Sequence, residues 1–239
     1  MIKSFKQHWR SFALVIVAIF GLTAPATMPP AQAQGNPNPG VLPINSTPFG
    51  RTYGEWSARW WQWALSAPAA TSPLLDPTGA NCAEGQSGKV WFLAGTGGGG
   101  ATRTCTVPHG KAIFFPIVNV VAGSGVFDCE PTVPGVPCDL STLRAVAASI
   151  MDNPMSLQAE VDGRSLQNLS GYRVQSPVFS LTYPADSIFG FGGTFAPQVS
   201  DGYYIMLAPL SAGAHTLHFK GILNDGFESE VTYYLTVGR

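Results

Sequence analysis

The sequence predicts a mainly β protein, a jelly-roll or Ig-like β-sandwich with two short helices packed on it. Three observations carry this expectation. Gly (27) and Pro (20) are abundant while charged residues make up only 11%, a composition of short strands and tight turns. From Ser156 onward, apolar and polar residues alternate in short runs bounded by turn residues. A helical period is confined to two stretches, one around Trp60 and one around Leu143.

In chain order, residues 1–33 read as a Sec-type signal peptide. Lys3, Lys6 and Arg10 precede the apolar run Ser11–Leu22, and Ala31-Gln32-Ala33 supplies the cleavage signature. Removing the leader leaves ten bases against fourteen acids, a net charge of −4 with scattered cations. That excludes a nucleic-acid footprint. No later apolar run reaches the length of a membrane span. The expected location is secreted or periplasmic. Residues 34–50 are rich in Pro, Asn and Gly and read as an extended linker or arm, and residues 51–239 as a single domain.

Thr52-Tyr53-Gly54-Glu55 matches a capping box and opens a helix expected to run to near Pro68. Strands are then expected at Lys89–Thr96, Ala101–Val107 and Lys111–Ala122, with Pro108-His109-Gly110 as a hairpin turn between the last two. The third is apolar on both faces, the pattern of a doubly covered strand, and Pro116 predicts a bulge or an edge register. A second helix starts at Asp139 and ends before Asn153, its inner stripe formed by Leu143, Val146, Ala147 and Ile150. Asp162-Gly163 marks a two-residue hairpin. Later strands are expected at Tyr172–Tyr183, Gly202–Leu207, Gly213–Leu223 and Glu228–Val237.

Four cysteines in an exported chain read as two disulfides. Cys129 and Cys138 flank a Pro/Gly loop that folds back on itself, and Cys82 and Cys105 then pair by default. The spacings do not suit zinc, and no metal or cofactor is expected. Gly95–Gly100 formally matches a dinucleotide fingerprint, but a strand follows where a helix is required.

The first helix carries four tryptophans in eight positions. Tyr53, Trp56, Trp60, Trp63, Ala64 and Ala67 fall on one face as a core stripe. Glu55, Arg59, Gln62 and Ser66 fall on the other, with Glu55 and Arg59 oriented for a helical ion pair. Two readings of this polar face stand: a solvated face with a cap, or a pocket wall in which Trp61, off the core stripe, offers a stacking platform. His109, on a turn, is a further candidate for a cleft. His215 and His218 are three apart on a strand, point to opposite faces and cannot chelate one metal. No Ser–His–Asp triad is evident. Glu228 and Glu230 share a strand face, read as exposed like charges or a paired-carboxylate site. Asn119 and Arg173 are polar residues inside apolar strands and mark a buried network or a site wall.

The stretches YGEWSARWWQWALSAP, VWFLAGT, VPHGKAIFFPIVN and DGYYIMLAPLSAGAHTLHFKGI resemble a group of exported bacterial proteins of unknown function. The resemblance implies a compartment and an architecture with a β-sandwich-like C-terminal half; it supplies no catalytic residues. The functional expectation is an exported, non-enzymatic binding protein for carbohydrate or an envelope component. It would use Glu55, Arg59, Trp61, Gln62 and His109, with the aromatic loop Phe189/Phe191/Phe195. The alternatives are a hydrolase of an extracellular polymer, and a structural envelope or matrix protein whose Trp helix is core.

Overall fold

A computed structural model describes residues 37–38, 40–124 and 139–238. Residues 1–33, read as a leader, and the expected Cys129–Cys138 pairing lie outside the described residues. Asn36–Arg239 cluster as one compact unit. The protein is mainly β, with ten strands and two α-helices among the described residues, and the strands form two mixed sheets.

Helix α1 (Tyr53–Ala64) starts as its capping box dictates: the Thr52 side chain accepts from the Glu55 N–H, and the Glu55 carboxylate accepts from the Thr52 N–H. It stops before Pro68, closing on a tight bond from the Ser66 N–H to the Trp63 carbonyl. The first sheet contains β1 (Val90–Phe92), β3 (Ala112–Gly123), β6 (Arg173–Gln175), β7 (Phe179–Tyr183) and β8 (Gly193–Leu207). Its order is β1-β3-β8-β6, with β7 also pairing β8. The second sheet contains β2 (Gly99–Val107), β4 (Ser156–Val161), β5 (Arg164–Ser165), β9 (Gly213–Ile222) and β10 (Glu228–Val237), in the order β2-β10-β9-β4-β5.

Several sequence expectations need correction. The turn at Pro108-His109-Gly110 does not close a hairpin, because β2 and β3 belong to different sheets. The stretch Tyr172–Tyr183 divides into β6 and β7, with Pro177 in the break. Strand β8 begins at Gly193, so the end of the expected Phe/Gly loop is already strand. The bulge at Pro116 is present as a register shift between Pro116 and Val118, on an interior strand rather than an edge. Part of the 34–50 segment docks on β8: the Leu42 N–H donates to the Met206 carbonyl and the Ala208 N–H to the Gly40 carbonyl.

Both faces of β3 are buried, as its sequence requires. On one side Phe115, Ile117, Tyr203 and Ile205 share a core with Leu217, Phe219, Val231 and Leu235 of the second sheet. Helix α2 (Leu140–Met151), capped by Asp139, adds Leu143, Ala147 and Met151 to that core, while Val146 and Ile150 are only half-buried. The sheets approach so closely that a Cβ on Gly221 would lie 2.5 Å from the Val118 Cβ. On the other side Val90, Ala112, Phe114, Tyr204 and Met206 meet Tyr53, Trp56, Trp60, Trp63 and Ala64 of α1.

Each of these three indoles finds an acceptor for its N–H: Trp56 at Pro48 O, Trp60 at Leu93 O and Trp63 at Glu84 O, at 2.8–2.9 Å. The polar residues inside strands belong to structural networks. Asn119 donates to the Tyr204 hydroxyl at 3.0 Å, and Arg173 grips Asp201 on β8 while reaching Asp152 and the Ala148 carbonyl of α2.

Trp60 is 1% exposed and joins helix to sheet by area and by hydrogen bond. Trp60→Ala is expected to cost about 3–5 kcal/mol in chemical denaturation. A loss below about 1 kcal/mol would contradict this packing account.

Candidate functional site

The outer face of the second sheet bears a built groove. Alternation along three neighbouring strands sets its floor. On β2, Thr102, Thr104 and Thr106 are exposed between the buried Arg103 and Cys105. On β10, Thr232, Tyr234 and Thr236 alternate with the buried Tyr233 and Leu235. The pairings Thr104↔Tyr234↔Thr216 and Thr106↔Thr236↔Ala214 align these residues in ranks across β2, β10 and β9. Strand geometry spaces such positions about 5 Å across the sheet and about 7 Å along it. Tyr234 stands at the centre, 53% exposed. The groove has a volume of about 520 Å³ and is bounded by the Gly79–Ala83 loop on one side and by Asp162 and His215 on the other.

The first wall is fixed from beneath. Asp76, buried, accepts from the backbone N–H groups of Thr78, Gly79 and Asn81 at 2.7–2.9 Å. Burial pushes its carboxyl pKa up, but these donors outweigh it and hold it below the usual value. Gly79 sits at φ +89 with its backbone against β2, where a Cβ would come within 2.1 Å of the Thr104 carbonyl. The Thr104 N–H donates to the Thr78 carbonyl, and the Cys82–Cys105 disulfide pins the far end of the loop.

Arg103, 2% exposed, holds the whole corner. Its Nε donates to the Asp76 carbonyl (2.7 Å), and one terminal nitrogen reaches the carbonyls of Ala94 (2.8 Å) and Gly95 (3.1 Å) and the Tyr233 hydroxyl (2.8 Å). Arg103 leaves little trace in the sequence, where its cue is only an inward parity on one strand.

Behind the opposite wall, on the core side of β9 with Leu235, His215 Nδ1 lies 2.7 Å from the Asp162 carboxylate, and Nε2 lies 2.9 Å from the Ser211 carbonyl and 3.3 Å from the Ser211 hydroxyl. The residue types are those of an acyl-transfer triad, but the polarity is wrong. In the charged ring Nε2 donates to the nearer carbonyl oxygen, and only the neutral ring has a lone pair to meet the Ser211 hydroxyl.

The five residues singled out on the sequence are distributed. The Glu55 carboxylate turns back to Thr52 (2.7 Å to N, 2.9 Å to Oγ1), and the cation acting on it is Arg51 rather than the expected Arg59. Those bonds from Thr52 lower its pKa. Arg59 is exposed, and Gln62 donates to the Ser180 carbonyl at 3.1 Å, tying α1 to β7. Trp61 is half-buried, set edge-on to Trp60 at 4.9 Å, with its Nε1 buried and directed to the Tyr204 hydroxyl. It lines a cavity of about 140 Å³ beside Gly95–Gly97 and Asn119. His109 is exposed at the turn, near Gly238.

In the aromatic loop, Phe189 and Phe191 are exposed with centroids 5.9 Å apart, while Phe195 packs on the buried Tyr183. Lys220 bridges Glu228 and Glu230, which removes the like-charge pair. His218 bonds Glu230 at 2.9 Å.

Compared with family models and with curated proteins, the chain matches none. Among solved structures it is similar to the one described as "Solution Structure of Amebosin", at 12% identity over 63% of this chain and 99% of that chain; the TM-score of 0.23 carries no argument.

Arg103→Leu strands the carbonyls of Asp76 and Gly95 in the interior, while the Ala94 carbonyl keeps the Tyr233 hydroxyl. A loss of about 3–5 kcal/mol is expected in denaturant unfolding. Reducing the disulfide is expected to cost about 3 kcal/mol for its 23-residue separation. Wild-type stability in Arg103→Leu would contradict the anchoring role.

Proposed function

We propose that the protein is an exported, non-enzymatic binding protein that takes a neutral, hydroxyl-rich chain, a carbohydrate of an extracellular polymer or the envelope, in the groove on the second sheet. The observation that carries this reading is Tyr234. Its half-exposed ring lies between Thr104 and Thr216, with Thr106 and Thr236 beside it. An aromatic face suits the apolar face of a sugar ring, and flanking hydroxyls both donate and accept, as sugar hydroxyls require. The Asp162 carboxylate at the end wall adds an acceptor.

Export is part of the same proposal. It is supported by the leader read in residues 1–33 and by a disulfide that persists in oxidising compartments. The two sheets, with a shared core between them, support reading the fold as a sandwich of the jelly-roll or Ig-like kind.

A depletion assay of the mature protein against a panel of insoluble polysaccharides tests the reading. Binding is expected to at least one, with an affinity at least about tenfold lower in Tyr234→Ala, the loss of one aromatic contact. Arg59→Ala, on the exposed helix face, is expected to bind as wild type. Failure to bind any polysaccharide, or equal binding by Tyr234→Ala, would overturn the proposal.

A further inference from the structure

Behind the end wall of the groove, on the core side of β9 with Leu235, lies a group whose charged form the geometry favours. Both nitrogens of His215 face oxygen acceptors: Asp162 Oδ2 at 2.7 Å and the Ser211 carbonyl at 2.9 Å. A neutral imidazole carries one N–H and satisfies one of them; only the imidazolium satisfies both. The ring therefore joins the β4–β5 turn to the connection that leads into β9. Asp162 is the first residue of the β4–β5 hairpin turn, at φ 51, and its other oxygen accepts from the Thr216 N–H at 2.9 Å. Ser211 precedes β9 in the connection from β8.

The geometry points to a protonation-controlled wall: the His215 imidazolium clamps the Asp162 turn to the connection at Ser211, and its deprotonation opens that end of the groove and weakens polysaccharide binding. The binding half of this inference rests on the function proposed above. With the proton gone from Nε2, that nitrogen's lone pair opposes the Ser211 carbonyl. The Ser211 hydroxyl, at 3.3 Å, then becomes the better partner and donates to it. The Ser211 connection must shift for this exchange, and it leads within a few residues to Ala214 and Thr216 of β9, which line the groove.

The surroundings leave Asp162 as the controlling charge. Arg164 on β5 acts on Asp162, β10 places the apolar Leu235 opposite His215, and both cysteines in the groove lining are oxidised. Burial lowers the His215 pKa, but the bonds to Asp162 and Ser211 outweigh it and raise it above 6.5. Burial likewise pushes Asp162 up, and the His215 and Thr216 bonds bring it below 3.8.

The signs follow from these directions. The His215 contribution to stability is complete below its ordinary value and is lost as pH rises through the raised one. The Asp162 contribution is present above its ordinary value and is lost as pH falls through the lowered one. The clamp is closed between those two limits.

The test is a pH titration of the ¹⁵N-labelled mature protein by NMR, run alongside the polysaccharide depletion assay. At about pH 6, both His215 ring nitrogens are expected in the protonated form. The ring midpoint is expected above 6.5, with the amides of Asp162, Gly163, Ser211 and Gly213 shifting at the same midpoint. Affinity is expected to fall several-fold through it, and His215→Gln is expected to abolish the pH dependence of all these signals.

A His215 midpoint at or below 6.5, or a ring that titrates without those amides, overturns the clamp. A titrating clamp with flat affinity overturns its control of binding and leaves the binding reading standing. If no polysaccharide binds at any pH, the function proposed above fails, and the ring and amide titrations still decide the clamp.

Discussion

A single buried cation sets the geometry at the groove end of this molecule. Desolvating a guanidinium is costly, and the cost is offset only when its donors all meet acceptors. Among the described residues Arg103 has no carboxylate within ion-pair distance; its three nitrogens instead reach carbonyls of the loop after α1, carbonyls of the segment after β1, and a phenol of β10. Three stretches far apart in the chain are thereby held to one set of distances. The residue that supplies its carbonyl to Nε, Asp76, uses its carboxylate to close the turn at Thr78–Asn81. The guanidinium, the turn and the disulfide together keep a loop standing along the edge strand β2. Without that loop the outer face of the second sheet would have no wall there.

The tryptophan helix decides which sheet face is left over. One face of the first sheet is committed to the core shared with the second sheet, and α1 covers the other with Trp56, Trp60 and Trp63. Their N–H groups go to backbone carbonyls, so these indoles serve packing and positioning. The described residues leave the threonine-bearing face of the second sheet uncovered, and that is where the groove lies. The polar residues of α1 fit this division: Glu55 caps the helix and Gln62 ties it to β7.

Features written in neighbouring residues were legible in the sequence. The Thr52–Glu55 capping box, the indole stripe, the Asp162-Gly163 hairpin and the bulge at Pro116 are all local, and each is present. The Cys82–Cys105 pair followed by elimination. What escaped depends on distant pairings. Thr102, Thr104 and Thr106 read as an ordinary solvent face until β2 pairs in parallel with β10, more than a hundred residues away, and places Tyr234 beside Thr104. Asp162 and His215 are 53 positions apart, so no local pattern announces their contact. The Pro108-His109-Gly110 turn misled for the same reason: its residues fit a hairpin, and only the partners of β2 and β3 show that the chain changes sheets there.

The central claim is that the protein binds ligand on the outer face of the second sheet rather than on α1. Amide chemical-shift mapping with a soluble oligosaccharide fragment of whichever polymer is retained tests it most directly. Perturbations are expected to cluster at Thr104, Thr216, Tyr234 and Thr236. A cluster at Arg59 and Gln62, or at Phe189 and Phe191, would contradict it.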